Sequence, residues 1–71
     1  MNFEKFRERL GKRLVGLRHG CDLTQEELAS KAGLTRQHLR LLEIGASNPK
    51  LSTLLALAQA FGMSVSEMME L

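Results

Sequence analysis

Apolar residues recur along this chain at spacings of three and four, the period of a helix with one buried face. The first stripe predicts a helix over Phe3–His19. A second, strongly apolar stretch predicts a helix over Leu51–Phe61, ended by Gly62. Because β-branched runs are scarce, the pattern favours an all-α fold. The apolar positions of the first stripe are Phe3, Phe6, Leu10, Leu14 and Leu17.

Two shorter helices are predicted between these long ones, each marked by a capping residue. Thr24 and Glu27 form a capping box, in which each side chain can accept a hydrogen bond from the other residue's amide. Gly33 is expected to end that helix, and Thr35 to cap a third helix that extends to about Ile44. Two short amphipathic helices joined by a tight turn are typical of a helix-turn-helix.

The remainder of the chain holds one loop signal and one more cap. Turn-forming residues fill Gly45–Lys50. Ser64 and Glu67 repeat the capping-box pattern and predict a short fifth helix. The chain has 71 residues and no linker or repeat, so we expect residues 1–71 to form a single domain.

Charge is distributed unevenly along the chain. The net charge of +2 does not by itself imply a nucleic-acid partner. Residues 1–20 hold six Lys or Arg against two Glu, whereas residues 51–71 hold two Glu and no Lys or Arg. One end of the sequence can therefore face phosphates and the other cannot.

Several classes of function find no support in the sequence. A single cysteine, Cys21, cannot form an internal disulfide, which agrees with a reducing compartment. No apolar run reaches the length of a membrane span or signal peptide, so a cytoplasmic protein without a membrane partner is expected. His19 and His38 lack ligands at metal spacing. With no catalytic constellation either, we expect no metal, no cofactor and no enzyme activity.

The third predicted helix carries residue types suited to reading DNA. Leu39 and Leu42 are expected to point inward, which leaves Arg36, Gln37 and Arg40 on the opposite face. Arg and Gln side chains recognise guanine and adenine edges in the major groove. We therefore expect Arg36 to contact guanine, Gln37 to contact adenine, and Arg40 to contact a base or a phosphate.

Six motifs in order make the chain resemble the Cro and phage-repressor family, also called the xenobiotic-response-element family. The resemblance implies a five-helix, lambda-repressor-like DNA-binding domain in which the second and third helices form the helix-turn-helix. The motifs are LR at Leu17–Arg18, LTQEELA at Leu23–Ala29, AGLTR at Ala32–Arg36, LEIG at Leu42–Gly45, NP at Asn48–Pro49 and LAQAFGMSVSEMM at Leu57–Met69.

The resemblance also implies roles for individual residues. Gln25 matches the position whose amide grips a DNA phosphate, as a free amide at a helix N-terminus would suit an anion. Thr35 matches a position on the reading helix near bases and phosphates, and His38 and Lys50 are further candidates for backbone contacts. A family ion pair between the first and third helices is matched by Arg18 and Glu43.

Some positions depart from the family pattern. Asp22 stands where a glycine usually ends the first helix, which predicts a left-handed backbone there. Ala46 and Ser47 replace basic residues that usually follow the third helix. Leu41 and Ile44 are apolar where polar or basic residues are usual, so they suit thymine methyls or a second protein.

The leading hypothesis is a transcriptional regulator, most simply a repressor. It would bind a pseudo-palindromic operator in double-stranded DNA as a homodimer, with Met69 and Leu71 as interface candidates. The alternative is an antitoxin or another component that binds a protein partner as well as DNA. It is favoured by Val15, Leu41, Ile44 and the methionine-rich C-terminus. A third hypothesis is an N-terminal module of a longer regulator.

Overall fold

The computed structural model describes all 71 residues and contains five helices and no strand. No helix has the length and apolar character needed to cross a membrane. The all-α fold predicted from periodicity is confirmed. The helices are α1 (Phe3–Gly20), α2 (Gln25–Ala32), α3 (Arg36–Glu43), α4 (Leu51–Phe61) and α5 (Val65–Met68).

Short-range hydrogen bonds fix where the helices begin. Both predicted capping boxes are present: the Thr24 hydroxyl accepts from the Glu27 amide at 3.1 Å, and the Glu27 carboxylate accepts from the Thr24 amide at 2.9 Å. Ser64 and Glu67 make the same reciprocal pair at the start of α5. These bonds satisfy amides that a helix leaves without partners in its first turn.

The end of α1 differs from its prediction by one detail. The helix predicted over Phe3–His19 extends one residue further, to Gly20, and Asp22 takes the left-handed backbone with φ of 55°. The Leu23 amide then donates to the Arg18 carbonyl oxygen at 3.1 Å. The left-handed conformation predicted for Asp22 is therefore confirmed.

A single cluster of buried apolar side chains holds the helices together. Through it, α1 packs against α3, α2 packs against both α3 and α4, and α4 packs against α5. The prediction that Phe3 lies on the buried face of α1 was wrong, because Phe3 is 71% exposed. It lies in the first turn of α1, beyond Phe6, which packs against the cluster. The cluster consists of Leu10, Leu14, Leu28, Ala29, Leu39, Leu42, Leu57, Ala58 and Met68.

The crossing of α1 and α3 depends on a glycine. A Cβ at Gly11 would overlap the Glu43 carbonyl oxygen and would lie 2.9 Å from the Leu42 carbonyl oxygen. These are backbone atoms at the end of α3, which cannot move aside as a flexible side chain could. The two helices approach this closely because residue 11 has no side chain.

Two arginines of α1 are tied to distant parts of the fold rather than solvated along its back. Arg13 donates to the carbonyl oxygens of Met68 and Glu67 at 3.1 and 2.9 Å, which joins α1 to the end of α5. Arg7 donates to Asn48 Oδ1 at 2.9 Å and so joins α1 to the loop between α3 and α4. Helix α1 is thus tied both to the end of α5 and to the loop that follows α3.

Candidate nucleic-acid interface

Helix α3 has one face anchored in the core and one face free. Leu39 is fully buried and Leu42 is 2% exposed, whereas Arg36, Gln37 and Arg40 are all exposed. The structure therefore brings the three predicted base-reading residues together on one surface. The helix begins cleanly, because the Thr35 hydroxyl accepts from the His38 amide at 3.0 Å.

The positive charges on this face are not neutralised within the protein. The ion pairs of the structure join Lys12 to Glu8 and Arg18 to Glu43, and neither Arg36 nor Arg40 has a carboxylate within 4.0 Å. The Arg36 side chain makes no hydrogen bond within the protein, whereas the Arg40 Nε donates to Gln37 Oε1 at 3.3 Å. Guanidinium donors outside such bonds remain available for acceptors on another molecule. Such acceptors are plentiful on base edges and phosphates in DNA.

A buried bidentate ion pair sets the position of α3. Arg18 donates to both carboxylate oxygens of Glu43, with Nε–Oε2 of 2.7 Å and Nη2–Oε1 of 3.1 Å. Its remaining Nη1 donates to the Leu23 carbonyl oxygen at 3.0 Å. The side chains are only 12% and 3% exposed. Because the fork and the carboxylate match in two bonds, the pair restricts both the distance and the angle between α1 and α3.

Gln25 joins the same buried carboxylate. Its Nε2 donates to Glu43 Oε1 at 2.9 Å, so Glu43 receives bonds from both α1 and α2. The expectation that the Gln25 amide is free is therefore wrong, because the buried carboxylate is a strong acceptor within its reach. The second N–H of the amide remains outside this bond, and a phosphate contact by Gln25 stays a prediction.

A depression of about 500 Å³ separates the start of α2 from the start of α3. It places Gln25 and Arg36 on the same concave surface, although their positions in the sequence are eleven apart. Its rim also includes Glu26, whose negative charge lies on the α2 side. The depression is lined by Arg18, Leu23, Thr24, Gln25, Glu26 and Arg36.

The other predicted backbone contacts lie around this face. His38 is half-buried within α3. Lys50 is exposed and is the N-cap residue that precedes α4. Its side chain makes no capping hydrogen bond with the first amides of α4. Sequence reasoning missed Asn48, which holds Arg7 beside this loop. No local signal could reveal that contact, because its partners are 41 residues apart.

The apolar candidates separate into two groups. Ile44 is 61% exposed at the end of α3, whereas Leu41 is half-buried. Met69 is partly buried and packs against the core, and Leu71 is 39% exposed. Of the two interface candidates, Leu71 is thus the more accessible.

The capping box of α2 perturbs one titratable group beside the interface. The Thr24 amide and then the Thr24 hydroxyl lower the pKa of Glu27 from its ordinary value of 4.5. The Glu67 pKa is lowered in the same way by Ser64. Both carboxylates are therefore ionised at neutral pH, where they complement the positive end of their helices. No group of three or more His, Cys, Asp or Glu residues is placed to hold a metal ion.

Comparison with known proteins identifies the family. The helix-turn-helix family model HTH_3 matches residues 17–68, which include α2, α3 and the Arg18–Glu43 pair. The chain belongs to this family. The chain is 42% identical over 62 residues to y4dJ of Sinorhizobium fredii, an uncharacterized HTH-type transcriptional regulator. The match covers 87% of this chain and 80% of that protein.

Two further known proteins are similar to this chain, one in sequence and one in structure. The immunity repressor protein of Bacillus phage phi105 is 46% identical over 57 residues, covering 80% of this chain but only 40% of that repressor. The crystal structure of the restriction-modification controller protein C.AhdI from Aeromonas hydrophila superposes with a TM-score of 0.85 at 35% identity, covering 87% of this chain and 94% of that one.

These comparisons confirm several predictions. The resemblance to the phage-repressor family, the lambda-repressor-like fold and the general class of DNA-binding transcriptional regulator are all confirmed. Family membership also supports the expectation of a regulator rather than an enzyme. The roles of individual residues are taken up below as proposals.

Proposed function

We propose that this regulator is a repressor that binds a pseudo-palindromic operator as a homodimer, with α3 in the major groove. The observation that carries the proposal is the exposed face of α3. Arg36, Gln37 and Arg40 present unneutralised donors there, while the opposite face is fixed by the core and by Glu43. A helix fixed on one side, with exposed Arg and Gln side chains on the other, meets the requirements of direct readout.

Residues around the helix would hold the protein on the DNA backbone. Thr35, His38 and Lys50 lie at helix starts or on α3, and Gln25 borders the depression beside Arg36. Contacts of this kind set the register of the reading helix without selecting a sequence. Helix α3 would then place Arg36 on guanine.

The dimer contact is proposed for α4 and α5. Residues 51–71 contain no Lys or Arg, so this side is poorly suited to phosphates. It exposes Leu51 and Leu55 on α4 and Leu71 after α5, while Met69 lies at the edge of the core. A twofold dimer would place its two reading helices about 34–36 Å apart, one turn of DNA. Residues 1–71 would form one domain of this dimer, located with its DNA in the cytoplasm.

One observation favours an alternative function. Ile44 is 61% exposed at the end of the reading helix, where an apolar side chain gains by contact with a protein surface. An antitoxin that binds a toxin as well as DNA would use such a side chain. This alternative predicts that a partner protein is bound through Ile44 while DNA binding remains.

Binding to DNA selected from a random pool tests the leading proposal. The enriched site should be pseudo-palindromic, and sedimentation at micromolar concentration should show a dimer on it. Each phosphate contact steepens the salt dependence, so log K against log salt should have a slope of roughly −5 to −8. Salt-independent binding, or a strict monomer with and without DNA, would refute the proposal.

A further inference from the structure

The loop between α3 and α4 is held against α1 at two points. Gly45 lies on the α1 backbone, since a Cβ there would come within 3.2 Å of the Glu8 Cα. Three residues further on, Asn48 Oδ1 accepts a hydrogen bond from Arg7 Nη1 at 2.9 Å. Pro49 follows with a fixed φ and disfavours a helical backbone at Asn48. The position of Asn48 relative to α1 is therefore constrained.

The Asn48 oxygen is the one acceptor that the Arg7 guanidinium has within the protein. Arg7 has no carboxylate within 4.0 Å, and its Nε is buried without a hydrogen-bond partner. The enclosed Nε limits how far the guanidinium can swing. Arg7 is thus directed at Asn48 rather than paired with an acidic side chain.

The bond decides how the Asn48 amide is turned. The terminal torsion of an asparagine has two broad orientations that exchange its oxygen and its nitrogen. Arginine carries donors only, so an orientation with Nδ2 toward Arg7 would set donor against donor. The structure has the other orientation, with Oδ1 toward Arg7. The Asn48 Nδ2 therefore points away from Arg7, whatever second bond the oxygen accepts.

The outward nitrogen is placed to meet a DNA phosphate. Asn48 is exposed, and its Nδ2 makes no hydrogen bond within the protein. The loop starts directly after α3, about 6 Å along the helix axis from Arg40. With α3 in the major groove, a donor this close to the reading helix would face the phosphates at the groove edge. Asparagine amides are among the side chains that bind phosphate oxygens in protein–DNA complexes.

We propose that Arg7 is a positioning residue for DNA binding, which turns the Asn48 amide so that Nδ2 donates to a backbone phosphate. The inference rests on the proposed function and adds a contact that no local sequence signal indicated. A residue of α1 thereby controls a contact made by the loop after the reading helix. The contact sets affinity without selecting a base.

A double-variant cycle on the selected operator DNA tests whether Asn48 depends on Arg7. Asn48→Ala should weaken binding at least about five-fold on selected and scrambled DNA alike, because a hydrogen bond to a charged group is lost. Arg7→Ala should weaken it by about three- to ten-fold, since Asn48 must then be ordered on binding. If Arg7 acts through Asn48, the double variant should bind within two-fold of Asn48→Ala.

Arg9 provides the matched control. It is an exposed arginine of the same helix and makes no hydrogen bond within the protein through its side chain. Arg9→Ala removes the same charge from α1, so a general electrostatic effect on affinity should appear in it as well. The loss caused by Arg9→Ala should multiply with that of Asn48→Ala, whereas the loss caused by Arg7→Ala should not.

Asn48→Asp separates the phosphate contact from the stability of the loop. An aspartate can accept from Arg7 as an ion pair but has no N–H for a phosphate. Its Tm should therefore equal or exceed that of wild type, while its DNA affinity falls at least as far as that of Asn48→Ala. Site selection with Asn48→Ala should return the wild-type sequence, because a phosphate contact reads no base.

Four results would overturn the inference while leaving the proposed function intact. They are wild-type affinity in either single variant, losses that multiply in the double variant, a base preference lost in Asn48→Ala, and wild-type affinity in Asn48→Asp. If the wild type enriches no site from random DNA, the proposed function fails, and this inference fails with it.

Discussion

Replacing Gly11 by alanine should destabilise the protein, although alanine is the better helix former. The added methyl would overlap the Glu43 carbonyl oxygen and lie 2.9 Å from the Leu42 carbonyl oxygen. Favourable contacts between nonbonded heavy atoms need about 3.5 Å, so α1 would have to move away from α3. The movement would also disturb the Arg18–Glu43 pair, which spans the same two helices.

The size of the effect follows from two opposing contributions. Overpacking a well-packed contact costs up to about 3 kcal/mol, and more where the obstacle is backbone. Alanine in place of a helical glycine returns about 1 kcal/mol. The net loss for Gly11→Ala is therefore about 2 kcal/mol, which lowers the Tm of a domain of this size by roughly 8–16 °C.

Gly16 provides a matched control in the same helix. No atom lies within 4 Å of the position that its added Cβ would take, and the residue is exposed. Gly16→Ala should therefore gain about 0.5–1 kcal/mol from helix propensity alone. Thermal unfolding followed by circular dichroism measures both variants. If Gly11→Ala is as stable as Gly16→Ala, the close approach of α1 and α3 is not what fixes this crossing.

Two further predictions concern the electrostatics of the fold. Glu43→Ala leaves the mostly buried Arg18 without its partner and should lower the free energy of unfolding in urea by about 3–5 kcal/mol. The double variant Arg18→Met/Glu43→Leu should recover most of that loss, and no recovery would show that the pair acts through more than its charges. The second prediction concerns Glu27 and Glu67, whose lowered pKa values stabilise the fold above pH 4.5 and lose that effect as pH falls through the folded-state pKa. Gln at both positions keeps the capping geometry without titrating, so between pH 5 and 3 the Tm of Glu27→Gln/Glu67→Gln should fall less than that of wild type. Equal falls would exclude the capping boxes as a source of acid sensitivity.

The features that sequence predicted well are those decided within a few residues. Thr24 and Glu27 form their box because the two residues are three apart, and Gly33 ends α2 by taking a left-handed backbone. The exposed side of α3 was predictable for the same reason, since Leu39 and Leu42 repeat at helical spacing. Such features need no knowledge of how the helices pack.

The features that sequence missed depend on packing between distant residues. Gln25 bonds to Glu43 only because α2 and α3 dock beside the same carboxylate. In the sequence, Gly11 is only a residue of low helix propensity, and its close approach to α3 follows from how the two helices pack. Phe3 continues the apolar stripe of α1 but extends beyond the core, which periodicity alone cannot show. The bond from Arg40 to Gln37 is local, but residue type did not indicate which partner each side chain would choose.

The central claim is that α3 reads base edges, and Arg36→Ala tests it most directly. Lys31→Ala is the matched control, because it also removes one positive charge from an exposed helix position. Lys31 lies at a separate depression, between α2 and α4, and not at the one that Arg36 lines. On the selected site, Arg36→Ala should weaken binding by about 1–3 kcal/mol and relax the preference at one base pair, while Lys31→Ala retains every preference. An equal loss of affinity for Arg36→Ala on selected and scrambled DNA would contradict the account and assign Arg36 to a phosphate.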